Sequence, residues 1–171
     1  MPDLPIPSNP CYDGDPLDGY ATIDLPSERF LRAFFDVEFL DVNGRELEHN
    51  IDADEPFKVR FRVVLVGKLW QCICGDWCFD VGLSAIGEGP DFNLSTKLGK
   101  DKFEVRNWRG CDTLCIEVSV EVPPNTVPED ACGTPYECIG WGELHCCGTA
   151  GQLGPVVVAA MEPLEERLFF K

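Results

Sequence analysis

Four stretches of this chain alternate apolar and polar residues with a period of two, the signature of a half-buried β-strand. In residues 35–39, Phe35, Val37 and Phe39 alternate with Asp36 and Glu38. In 57–65, Phe57, Val59, Phe61, Val63 and Leu65 take one side, and Lys58, Arg60 and Arg62 the other. Residues 79–85 set Phe79, Val81, Leu83 and Ala85 against Asp80, Gly82 and Ser84. Residues 114–122 are the most regular, with Leu114, Ile116, Val118, Val120 and Val122 opposite Cys115, Glu117, Ser119 and Glu121. Neighbouring side chains on a strand point to opposite faces, so each stretch offers one face to a core and one to solvent.

Turn residues separate these runs. Asn43-Gly44 marks a tight turn. Gly67 ends the second run, Gly87-Glu88-Gly89-Pro90-Asp91 follows the third, and Pro123-Pro124-Asn125 ends the fourth. Residues 103–108 read as a short strand, and 136–145 as another, weakened by Gly140 and Gly142. After a Gly-rich turn at 148–155, residues 156–161 and 166–170 look like a closing strand pair. Short strands without a persuasive amphipathic helix predict an all-β fold, an antiparallel immunoglobulin-like β-sandwich, with a closed barrel as the alternative. No repeat of 20–50 residues argues for a solenoid or propeller.

Residues 1–28 carry Pro2, Pro5, Pro7, Pro10, Pro16 and Pro26. Proline lacks an N–H and blocks central strand pairing, so this stretch is expected to be an extended Pro-rich arm. Residues 29–171 then form one sandwich domain, a size at which roughly two-thirds of the unfolded surface is buried.

The ten cysteines are Cys11, Cys72, Cys74, Cys78, Cys111, Cys115, Cys132, Cys138, Cys146 and Cys147. A core of this size does not need them to fold, so they point to added durability or to a metal. Disulfides are the favoured expectation for an even count. The alternatives are a metal site and unbridged thiols. Cys74/Cys78 and Cys111/Cys115 have knuckle-like spacing, but Cys111 leads straight into the most regular strand, where a knuckle needs a turn. In an extended segment Cys72 and Cys74 would share a face. Adjacent Cys146 and Cys147 need different partners. Cys115 lies on the polar face of its strand, so its partner is expected outside the core. The on-the-order-of-a-thousand complete pairings leave connectivity open.

The formal charge is −16, from 30 acidic and 14 basic residues. Such a surface repels nucleic acid and anionic membranes, and the basic residues are scattered and are expected to form no patch. No apolar run reaches membrane-spanning length. The start, Met1-Pro2-Asp3-Leu4, lacks the basic and apolar regions of a secretory signal. The cysteines nevertheless suggest an oxidising location, extracellular or on a particle surface.

The remaining candidates are each more simply read as ordinary structure. His145 precedes Cys146-Cys147, and His49 lies in a polar loop. Asp52-Ala53-Asp54-Glu55 and Asp13-Gly14-Asp15 with Asp18 are acidic loops without the full calcium-loop pattern. Trp70, Trp77, Trp108 and Trp141 would make a sugar platform if they shared an exposed face, but tryptophans more often fill cores. No nucleophile elbow, phosphate-binding loop or zinc-protease motif is present. The expected function is therefore a non-enzymatic structural or assembly domain without cofactor or metal. It would act outside the cell or on the exterior of a filament, capsule or virion. Its contacts would be with copies of itself or an assembly partner, through an exchanged N-terminal arm. The rival is a monomeric carbohydrate- or metal-binding module, and a sandwich hydrolase is a weaker third.

Overall fold

The computed structural model describes residues 19–23, 31–47, 50–72, 75–87, 89–99, 102, 104–110, 112–128, 133–146, 156–163 and 168–170. They are mostly β-strand, in two antiparallel sheets that pack as a sandwich. One sheet, here sheet A, contains β1 (Gly19–Ile23), β2 (Arg32–Leu40), β4 (Phe57–Val66), β8 (Thr113–Val122) and β7 (Glu104–Arg109), side by side in that order. In sheet B the long β9 (Thr134–Cys146) lies between β5 (Gly75–Ala85) on one side and β10 (Val156–Pro163) with β11 (Leu168–Phe170) on the other. The two-residue β6 (Phe92–Asn93) borders β5, and β3 (Asn50–Ile51) runs parallel to β11.

β1 joins the sheets. Gly19 and Tyr20 pair with β2 of sheet A, and Ala21, Thr22 and Ile23 pair with β10 of sheet B. The expected arm at 1–28 therefore contains a strand at 19–23, and its other residues lie outside the described set.

The immunoglobulin-like strand order expected from the sequence is not shown by these pairings. Here β2 and β4 are neighbours in sheet A along nine paired positions, from Arg32↔Val66 to Leu40↔Lys58. β10 and β11 are not a mutual pair either, because each lies on the same side of β9. A 13-residue strand has room for both, one after the other.

The alternating residues meet between the sheets. Val59, Val63 and Leu65 of β4 are fully buried, as are Val118, Val120 and Val122 of β8. Phe35 stacks on Phe79 across the two sheets, and Phe61 lies 5.4 Å from Phe79. Tyr136 is buried in the same core, with its hydroxyl donating to the Pro128 carbonyl at 2.7 Å. Gly140 and Gly142 face this core rather than weakening their strand. A Cβ on Gly142 would stand 3.0 Å from both Phe35 and Phe79, so the missing side chain lets the sheets approach.

Two short helices escape the period-two reading. Gly67, at φ +127°, ends β4, and a 3₁₀ helix follows at Lys68–Cys72. Cys72 is thus helical rather than extended. The α-helix α1 (Leu94–Leu98) is capped by Asn93, whose side chain accepts from the Thr96 N–H. Asp80 steadies this helix start by accepting from the Ser95 N–H and hydroxyl at 3.0 and 2.6 Å.

Candidate functional site

The outer face of sheet A carries a ladder of charges. The polar members of the alternating runs are placed there by the same pleat that buries their neighbours. Register sets Asp36 opposite Arg62, and Glu38 opposite Arg60. It continues from Arg62 to Glu117 and from Glu117 to Arg106. Arg60 is opposite Ser119, which is opposite Glu104, and Lys58 is opposite Glu121. Opposite charges on facing positions attract across a strand pair, by about 0.2–1 kcal/mol each.

At its β2 end the ladder is tightly paired. The Arg62 side chain is only 4% exposed. Its Nε donates to Asp36 Oδ2 at 2.7 Å, and its Nη2 reaches both Asp36 and Glu38. The Arg60 Nε donates to Glu38 at 2.8 Å. Burial pushes the Asp36 carboxyl above its ordinary value of 3.8, against the pull of Arg62. Burial also works against the Arg62 charge, but Asp36 and Glu38 outweigh it and hold the guanidinium above its ordinary range.

Toward β7 the face opens into a concavity of about 270 Å³. Lys58, Arg60, Lys102 and Arg106 line it together with Glu104, Glu117 and Glu121. On a chain of net charge −16 the ladder and its concavity are balanced, with five basic residues (Lys58, Arg60, Arg62, Lys102, Arg106) and five acidic ones (Asp36, Glu38, Glu104, Glu117, Glu121). Basic residues that are scattered in sequence, and were expected to form no patch, therefore converge in space. The visible signal was the pairing of two complementary patterns, Asp36/Glu38 on one strand and Lys58/Arg60/Arg62 on another. Their neighbourhood could not be read without strand order.

The concavity ends at β7, an edge strand of sheet A. Glu104, Val105, Arg106, Asn107 and Arg109 are all exposed. Val105 is 61% exposed although it stands opposite the buried Val118, so sheet A overhangs the core at this edge.

The cysteines divide by position. Cys138 is buried in the core opposite Leu83, and Cys78 is half-buried opposite Glu143. Cys115 is buried with Val64 on the other face of sheet A, where Phe34 and Val66 pack on them. The alternation had assigned Cys115 to a polar face; an apolar patch occupies that end of the face instead. Its sulfur is bonded in a disulfide whose other half lies outside the described side chains. Cys72 and Cys146 are placed by their backbone, while Cys11, Cys74, Cys111, Cys132 and Cys147 lie outside the described residues. Two backbone links gather cysteine-bearing segments at one end of the sandwich. Gly75, next to Cys74, is opposite Cys146, and the Gly67 N–H donates to the Asp112 carbonyl beside Cys111.

The other candidates are dispersed. His145 Nε2 lies 3.1 Å from Glu143 Oε2, and His49 lies outside the described residues. Asp52 accepts from the Asp54 N–H, so its carboxylate caps its own turn. Asp13, Asp15 and Asp18 fall outside the described set. Among the described residues, no three of His, Cys, Asp and Glu are grouped to hold a metal. Trp70 is buried, with no hydrogen-bond partner for its Nε1 among the described residues, and Trp77 stacks on Phe79. Trp141 lies across Gly82 on the outside of sheet B, and the Trp108 side chain is not described. The three described tryptophans thus share no common platform.

No family model, curated protein or solved structure matches this chain.

Proposed function

We propose that this chain is a non-enzymatic assembly domain, working outside the cell or on the exterior of a particle, that joins other subunits through the open edge of sheet A. The observation that carries this reading is β7. It has a neighbour on one side only among the described residues, and it is exposed on both faces. An unpaired edge is a ready template for another strand, whose main-chain hydrogen bonds supply affinity. Cysteine-bearing segments gathered at one end of the sandwich support a disulfide-stapled body suited to an oxidising setting. The test is the solution mass of the unreduced full chain across concentration. Mass above the 19.0 kDa monomer supports the reading, and a monomer at every concentration overturns it.

A second reading, a monomeric carbohydrate-binding module, is supported by one observation. The Trp141 ring packs over Gly82 on the outside of sheet B, with Asp80 in register opposite Trp141. A glycan array tests it, and binding that survives Trp141→Ala would overturn it.

A further inference from the structure

We infer that β7 pairs antiparallel with β7 of a second copy of this chain, about a two-fold axis through Val105, with Glu104 of each copy against Arg106 of the other. This rests on the assembly reading above and names the partner and the register.

The main chain restricts the choice. The Gly110 N–H donates to the Thr113 carbonyl at 2.7 Å, in the same register that sets Glu104 opposite Ser119 and Arg106 opposite Glu117. Directly opposed residues of an antiparallel pair alternate between exchanging hydrogen bonds and not doing so. Counting back by twos from Gly110, the residues bonded to β8 are 108, 106 and 104. Val105, Asn107 and Arg109 therefore turn their N–H and C=O groups to the open edge. An added strand must bond to these odd-numbered residues.

A second β7 meets that condition in few registers, and the side chains separate them. Centring the axis between 105 and 107 sets Arg106 against Arg106. Centring it between 103 and 105 sets Glu104 against Glu104. Both oppose like charges, which is destabilising. Centring it on Asn107 leaves Glu104 opposite Gly110, without a charged partner. Centring it on Val105 makes two Glu104–Arg106 pairs on the outer face. On the inner face it sets Val105 against Val105, each beside its own Val118. The 61% exposed Val105 would then gain an apolar neighbour. The contact is self-complementary and closed, as a two-fold dimer requires. It would also bring two charged concavities together across one continuous sheet.

The experiment is sedimentation equilibrium of the unreduced full chain at low salt, up to about 1 mM, where a weak edge dimer is populated. It compares wild type with Arg106→Glu, Glu104→Arg and the double exchange. Both positions are exposed, and matching thermal melts establish that each variant folds. Each single reversal is expected to weaken dimerisation about tenfold or more, by turning two attractions into repulsions. The double exchange is expected to restore it, and an equal mixture of the two single variants to form a heterodimer. A wild-type oligomer insensitive to both reversals, or reversals that the double exchange does not rescue, would overturn the β7 pairing and leave the assembly reading standing. A wild-type monomer throughout would overturn both.

Discussion

Gly140 of β9 lies directly against Val37 of β2, and a Cβ at 140 would overlap a Val37 methyl. The two sheets touch here because one of them carries no side chain. Gly140→Ala is therefore expected to destabilise the fold by about 1–3 kcal/mol through overpacking. Combining it with Val37→Ala should recover part of the loss. Urea unfolding measures both, and a Gly140→Ala midpoint equal to wild type would show that the sheets can separate at no cost.

Val118→Asp is expected to cost several kcal/mol, since it places an unpaired charge at a position only 1% exposed on the core face of sheet A. Glu117→Asp, one residue away on the outer face, should change stability by less than about 0.5 kcal/mol. A thermal shift of similar size for the two would refute the assignment of faces.

Arg62→Ala should destabilise by about 3–5 kcal/mol, because it leaves Asp36 and Glu38 without their shared guanidinium. Replacing Asp36, Glu38 and Arg62 together with apolar residues of similar volume should cost less than the single change. Chemical unfolding of the two variants checks this. A larger loss in the triple variant would mean that the ion pairs themselves, rather than the burial of an orphaned charge, dominate.

Two carboxyl groups are expected to titrate in opposite directions. Burial raises Asp36 above 3.8, whereas the Arg45 N–H, with help from Asn43, lowers Asp41 below it. The stability linked to Asp36 is complete below 3.8 and is lost as pH rises through its raised value. The stability linked to Asp41 is complete above 3.8 and is lost as pH falls through its lowered value. Carbon-detected NMR of the side-chain carboxyls reads both, and the reverse order would refute the assigned environments.

Thiol titration of denatured, unreduced protein is expected to show at least three intramolecular disulfides among the ten cysteines. Eight or more reactive thiols would refute this, and stoichiometric zinc would favour a metal-bound cluster.

Period-two alternation revealed the strands that face the core, because a pleat leaves its mark in consecutive residues. Phe57 to Leu65 and Leu114 to Val122 could be assigned to a face before any neighbour was known. Strand order could not be, since nothing in Asp36 or Arg62 states which strand lies beside which. The candidate face depends on that order, so its residues were visible and their convergence was not. Gly140 and Gly142 were misjudged for a related reason. Local preference counts a strand glycine as a loss, while packing between sheets uses it for close approach. Cys115 shows the limit of alternation itself, which places a residue on a face without saying what covers that face.

β1 gives this sandwich a mechanical character. Among the described strands it alone is hydrogen-bonded to both sheets, first along β2 and then along β10. Tension along the chain at residue 19 would load those bonds in shear, and the load would pass into both sheets at once. A neighbour pulling on this segment would grip the whole body rather than peel away one layer.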